Sequence, residues 1–181
     1  VGRMPEPEIS VQHVGRLLER PGALAGRRVV VTAGPTRERV DPVRYLSNHS
    51  SGLMGVEVAR AAWRRGADVT LVCGPVASSL IPKGPTVVRV ESTQEMADAV
   101  RAVLPTADAL VMAAAPADFR PAAPAGDKIK KSTQPDAIAL APTPDILLTT
   151  RDARKPGAVI VGFALETRDA LGYGREKLAA K

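Results

Sequence analysis

Three short stretches hold the residues best suited to chemistry. The first, Asn48-His49-Ser50-Ser51-Gly52, closes a polar loop that opens with Gly34-Pro35-Thr36. A Ser-Ser-Gly turn directly before a helical pattern offers free backbone N–H groups, the positive end of a helix dipole and two hydroxyl donors. Together these suit an anion, although taken alone the turn is more often an ordinary serine helix cap. It is not a P-loop, because the Gly-Lys-Ser/Thr core is absent, and there is no G-x-G-x-x-G fingerprint. Asn48 is either a turn residue or an amide aimed at substrate. Asp41 and Arg44 can pair to brace the loop, and His49 has no identifiable partner to make it a base.

The second stretch is Ala113-Ala114-Ala115-Pro116-Ala117-Asp118-Phe119-Arg120. Tiny residues at a strand end let a flat base or a ribose approach the backbone. Asp118 is the sole carboxylate there; it suits Mg2+ beside phosphates, or simply a loop cap. The third is Lys128-Ile129-Lys130-Lys131. Solvated surface lysines are the default for such a run. Beside a phosphate site, lysine would instead neutralise charge developing on a transferring phosphoryl or nucleotidyl group. Cys73 reads as a buried strand-end residue without an activating base.

The elements that must position these loops alternate. Arg28–Ala33 is a β-branched run typical of a buried parallel strand. A helix is expected over 52–65, with Met54, Val58, Ala61 and Ala62 on one face and Gly66 as its stop. Strands are expected at 68–73, 87–90, 109–113 and 158–161, with a short one at 137–140. Ser92 and Glu95 form a capping pair for a helix to about Leu104. Further helices are expected at 9–20, 145–150 and 169–181. This alternation predicts an α/β, Rossmann-like three-layer fold with a mostly parallel sheet. Right-handed crossovers put all strand C-termini on one edge, where ligands bind. The loops 34–52, 114–131 and 162–167 all follow strands and therefore converge there.

Composition narrows the classes. The chain has 181 residues, 45% of them hydrophobic but only 3% aromatic, so its core is built from small aliphatics. The formal charge of +6, from 25 Lys and Arg against 19 Asp and Glu, suits phosphorylated small molecules. Nucleic-acid binding is disfavoured, because stacking aromatics are not grouped beside the basic residues. A single cysteine excludes an internal disulfide and fits a reducing cytoplasm. No run reaches the roughly 18 apolar residues of a membrane span, and residues 1–7 lack a signal-peptide core.

Taken in order, the segments GPTRERVDPVRYLSNHSSGLMG, RRGADVTLVCGP, AAAPADFRP, DKIKK, TPDIL and VGFALET resemble phosphopantothenate–cysteine ligase. They span about residues 27–181; each is weak alone, and the ordered set is specific. The N-terminal GRMPEPE resembles the tail of the flavin-dependent decarboxylase that precedes the ligase in many bacteria. The resemblance implies a decarboxylase remnant and linker at 1–26 and a C-terminally incomplete ligase domain at 27–181. FMN would belong only to the missing decarboxylase domain. It also implies a cytoplasmic homodimer, in a higher oligomer when fused to the decarboxylase, and a place in coenzyme A biosynthesis.

The reaction implied is CTP-dependent. The carboxylate of 4′-phosphopantothenate attacks the α-phosphate of CTP, and cysteine then displaces CMP from the acyl-cytidylate. By the same resemblance Lys128 serves cytidylate formation, and Asn48 holds the acyl-cytidylate for cysteine. Gly34, Ser50, Ser51, Gly52 and Gly55 match the turn against phosphates. Met112, Ala113, Ala114, Ala115 and Asp118 match the nucleotide side of a strand end, as do Pro144, Asp145 and Ile146 of the TPDIL segment. Phe163 matches an aromatic at the nucleotide, and Lys177 and Lys181 match lysines that reach CTP. Asp118 is the candidate Mg2+ ligand. Leu53 stands where the family commonly has Lys or Arg, and Pro116 where it has a small aliphatic. The alternatives are an NAD(P)-binding oxidoreductase and a non-catalytic basic binding module.

Overall fold

The computed structural model describes residues 4–19, 22–131, 137–165 and 169–180. Its centre is a five-stranded parallel sheet. In chain order its strands are β1 (Arg28–Ala33), β4 (Asp68–Cys73), β5 (Thr86–Arg89), β6 (Ala109–Met112) and β9 (Val159–Gly162). The spatial order is β5-β4-β1-β6-β9, the doubly wound arrangement in which the chain reverses direction across the sheet beside β1. Val31 lies opposite Leu71 on one side and Val111 on the other. The predicted α/β fold is therefore the one observed, and β1 and β4 have the expected bounds.

Side chains alternate between two cores because a strand has period two. Val29, Val31, Leu71 and Cys73 face α2 (Leu53–Arg64), and Val30, Val72, Leu110 and Met112 face α3 (Thr93–Val103). The buried face of α2 is Gly55, Val56, Ala59, Ala62 and Trp63. The expected face was drawn around Met54, which is instead exposed. The face is turned by Gly55, which brings the helix backbone down onto β1. A Cβ there would lie 2.5 Å from the Thr32 carbonyl oxygen and 2.7 Å from the Ala33 Cβ. The α3 cap forms as expected, with Ser92 Oγ accepting from the Glu95 N–H at 3.2 Å. The Glu95 carboxylate reaches back one residue further than anticipated, to the Glu91 N–H at 2.7 Å.

The amino-terminal helix α1 (Pro7–Leu18) packs on α2. Arg16 donates to the carbonyls of Trp63 and Ala67 and stacks over the Trp63 ring, 4.7 Å from its centroid. A cation there satisfies carbonyls at the C-terminal end of α2 and matches its dipole.

Two ribbons lie at the carboxyl edge of the sheet. β2 (Arg37–Arg39) pairs antiparallel with β3 (Tyr45–Ser47), inside what reads as a featureless polar loop. β7 (Phe119–Pro121) pairs with β8 (Leu140–Pro142), so the short strand expected at 137–140 begins where that expectation ends. Three-residue strands carry too little alternation to be legible. The short α4 (Ile146–Thr149) and α5 (Ala170–Ala180) complete the described α-helices, and short 3-10 turns stand at Ser78–Leu80, Leu104–Thr106 and Arg151–Ala153. No helix is long and apolar enough to cross a membrane among the described residues.

Replacing Gly55 by Ala should destabilise the fold by about 1–3 kcal/mol, because β1 has no room to yield. Urea unfolding of the variant against the parent checks this; an unchanged midpoint would contradict the close packing.

Candidate active site

The loops after β1 and β6 meet at the carboxyl edge and are joined backbone to backbone. The Ala115 N–H donates to the Gly34 carbonyl at 2.9 Å, and Pro35 and Ala115 form a parallel bridge. Thr32, fully buried at the end of β1, accepts from the Ala114 N–H at 3.1 Å. The sheet thus continues one step past its strands and fixes the alanine run.

Below this junction lies a buried polar chain. The Ala117 N–H donates to Thr36 Oγ1 at 2.9 Å, and Thr36 Oγ1 and Thr93 Oγ1 share a hydrogen bond of 2.8 Å. Thr93 donates both its hydroxyl and its backbone N–H to Glu38 Oε1, each at 2.8 Å. Glu38 is 4% exposed. Its carboxylate sits at the first turn of α3, where a helix dipole favours negative charge.

Above the junction opens a cleft of about 940 Å³. One wall is Asn48 to Met54, the floor is Ala113 to Pro116 with Asp118, and Phe163 to Leu165 close the far side. The Asn48 amide spans the cleft base, donating to the Pro116 carbonyl at 2.9 Å and to that of Ala115 at 3.4 Å. A second lobe of about 250 Å³ is lined by Met112, Pro144, Asp145 and Ile146. Both lobes share Ala114, Pro116, Asp118 and Phe163. Asp145 caps α4, accepting from the Leu148 N–H at 3.1 Å.

The serine turn differs from an ordinary cap. The N-cap of α2 is Gly52, whose φ is +76° and which makes no side-chain cap bond. A Cβ at Gly52 would lie 3.0 Å from the backbone nitrogen of Gly34, so only glycine lets the two turns stack. Ser50 Oγ accepts from the Gly52 N–H at 3.2 Å, and Ser51 Oγ from the Leu53 N–H at 3.3 Å. Leu53 and His49 line the cleft, so Leu53 puts an apolar side chain in its wall. The Asn48 contact at Pro116 is made by the backbone carbonyl and needs no particular side chain there.

Thus Asn48, Ser50, Ser51, Gly52, Ala113, Ala114, Ala115, Asp118 and Phe163 share the main cleft. Gly34 and Gly55 lie behind it: Gly34 abuts Gly52, and Gly55 is buried against β1. Lys128 is exposed and lines neither lobe; Lys177 is exposed on α5, and Lys181 lies outside the described residues. Among the described residues no three His, Cys, Asp or Glu side chains gather as a metal-ligand set. A lone carboxylate such as Asp118 still fits Mg2+, which keeps several waters and takes substrate phosphate oxygens.

The lysine loop is held by the anticipated Asp41–Arg44 pair. The buried Asp41 accepts from the Val43 and Arg44 N–H groups at 2.8 Å, from Arg44 Nε at 2.9 Å and from the Ile129 N–H at 3.2 Å. Arg44 Nη2 donates to the Ile129 carbonyl at 3.0 Å. Both backbone groups of the residue beside Lys128 are thereby clasped. The Arg44 guanidinium, helped by the backbone N–H groups, holds the Asp41 carboxyl well below the usual carboxylate range against an opposing effect of burial.

Residues 24–181 match the family model for the DNA/pantothenate metabolism flavoprotein C-terminal domain. The chain belongs to that family. It is 50% identical to the coenzyme A biosynthesis bifunctional protein CoaBC of Mycobacterium tuberculosis, over 99% of this chain and 46% of that protein. With the CoaBC protein of Vibrio parahaemolyticus the identity is 44%, over 99% and 45%. The chain therefore spans about half the length of the curated relatives it matches. A crystal structure of the C-terminal domain of a CoaBC protein superposes with a TM-score of 0.75 at 40% identity, covering 87% of this chain and 74% of that one. A Cab2 variant in complex with phosphopantothenate-cysteine shares the fold, with a TM-score of 0.70 at 16% identity and coverage of 97% and 78%.

Among family segments, the Gly34–Gly55 stretch thus serves two ends, with its tail in the cleft and its middle in the clasp. Sequence reasoning missed Glu38 and Thr93. Nothing in a charged Arg-Glu-Arg triplet marks its centre as buried.

Asp41→Asn should speed tryptic cleavage after Lys128, Lys130 and Lys131 several-fold, read by timed digestion and mass spectrometry. Because the folded-state pKa of Asp41 is depressed, its stabilisation is fully present above the ordinary value of 3.8 and is lost as pH falls below it. The stability gap between wild type and variant should therefore shrink on acidification from about pH 5 to about pH 2. A gap that widened would reverse the assigned sign.

Proposed function

We propose that this chain is the ligase domain that joins 4′-phosphopantothenate to cysteine at the expense of CTP. The observation that carries the reading is the single cleft holding Asn48, the Ser50-Ser51-Gly52 turn, the alanine strand end and Asp118. Membership of the CoaBC family supports it.

A carboxylate is a poor acyl donor until its oxygen becomes part of a good leaving group. In the first step the carboxylate of 4′-phosphopantothenate attacks the α-phosphorus of CTP, and pyrophosphate leaves. In the second the cysteine amine attacks the acyl carbon, CMP leaves and an amide forms. The alanine run admits the nucleotide against the backbone, and the Phe163 ring offers an apolar face to it. The serine turn and the α2 N-terminus meet phosphate oxygens. Lys128, on the clasped loop, neutralises charge on the transferring nucleotidyl group. Asn48, anchored on the Pro116 carbonyl, orients the acyl-cytidylate for the amine. Asp118 would hold Mg2+, which when bound offsets triphosphate charge. The working form is a homodimer in the cytoplasm.

Calorimetric titration with CTP, ATP and NADH, each with Mg2+, should give heat with CTP. Binding of NADH without CTP would replace this reading with an oxidoreductase. Lys128→Ala should cut pyrophosphate release from CTP and 4′-phosphopantothenate by about a hundredfold or more while leaving the circular dichroism spectrum unchanged. Undiminished release would remove Lys128 from the chemistry.

A further inference from the structure

The two chemical elements of the cleft sit on different loops. Asn48 follows β3, whereas Asp118 follows the alanine run after β6. Their direct link is the Asn48 bond to the Pro116 carbonyl. Exposed at the cleft base, that bond cannot by itself fix either loop.

We propose that Glu38 is the positioning residue that locks these loops together, acting through Thr93 and Thr36 on the backbone of Ala117. This rests on the ligase reading above. Glu38 belongs to β2, where it pairs with Leu46 of β3, two residues before Asn48. Its carboxylate only accepts, so the Thr93 hydroxyl must donate to it. The Thr36 hydroxyl must then donate to Thr93, which leaves Thr36 Oγ1 as acceptor for the Ala117 N–H. One carboxylate therefore orients the whole relay.

The relay ends beside both chemical groups. Ala117 stands between Pro116, which anchors Asn48, and Asp118. The Thr36 carbonyl accepts from Ser47 Oγ at 2.7 Å, immediately before Asn48. Thr143 Oγ1 holds the Ala117 carbonyl from the other side. Thr36 and Thr93 are closed to solvent, so water cannot substitute for a lost partner. With no acceptor at position 38, the Thr93 hydroxyl turns to its alternative, the Ala117 carbonyl at 3.3 Å, and the relay loses its tie to β2 and, through β3, to Asn48.

The test uses the intact chain as wild type, Glu38→Ala, Glu38→Gln and Thr93→Val. Amide hydrogen exchange by mass spectrometry follows peptides covering 45–52 and 113–120, with 28–33 as an internal control. Pyrophosphate release with CTP and 4′-phosphopantothenate supplies kcat and KM. The expected result is faster exchange in both loops for Glu38→Ala and Thr93→Val, with the control unchanged. Their kcat should fall about tenfold to a hundredfold, as for a displaced reacting group. KM for CTP should stay within about threefold of wild type. Glu38→Gln keeps an Oε1 acceptor and should stay near wild type in every measure.

Unchanged loop exchange in Glu38→Ala, equal acceleration in the control peptide, or Glu38→Gln as damaged as Glu38→Ala would each overturn the assignment. A wild-type chain that releases no pyrophosphate, while Glu38→Ala still loosens both loops, would sink the ligase reading and leave the loop lock standing.

Discussion

A buried carboxylate at the carboxyl edge of the sheet sets the constraint around which the rim is built. Glu38 is removed from water and must be matched by donors that also stay dry. A hydrogen bond to a charged group is worth about 1.5–3 kcal/mol, and an unmatched buried charge costs more than that. The donors come from the first residue of α3, and they in turn engage the loops after β1 and β6. Three segments far apart in the chain are thus held to one geometry by groups closed to water.

The hydrophobic layers below supply the platform for that constraint. Gly55 lets α2 descend onto β1, and this close approach puts the α2 N-terminus level with the alanine strand end. Gly52 then stacks on Gly34 where a side chain at 52 would push the turns apart, and a Cβ at Gly34 would meet the Val76 side chain. The serine turn reaches the cleft because the helix beneath it is seated deeply, and Ser50 and Ser51 merely tighten the approach to the Gly52 cap.

The lysine loop is governed by a second polar centre. Asp41 collects donors from its own turn and from Ile129, so a stretch that reads as solvated surface is tied to the same loop that carries Asn48. Recognition of phosphates and neutralisation of developing charge would therefore share one structural support. The long interval between Gly34 and Gly52 has several duties: its β2–β3 ribbon holds Glu38, its turn holds Asp41, and its end holds the cleft wall.

Residue order alone determined the sheet, its main strands, the capped α3 and the side of the molecule where loops gather, because hydrophobic period and cap chemistry act over neighbouring residues. It also marked Asn48, the serine turn and Asp118 as one group, through an ordered set of short motifs. Tertiary structure decided the rest. Burial of Glu38, the turn of α2 toward Gly55 rather than Met54, and the two three-residue ribbons depend on contacts between distant segments. The cap at Gly52 has the same origin, since Gly34 and Val76 leave no room there for a side chain. Such contacts leave no periodic trace in a chain, since a residue becomes buried or strained only when its remote neighbours arrive.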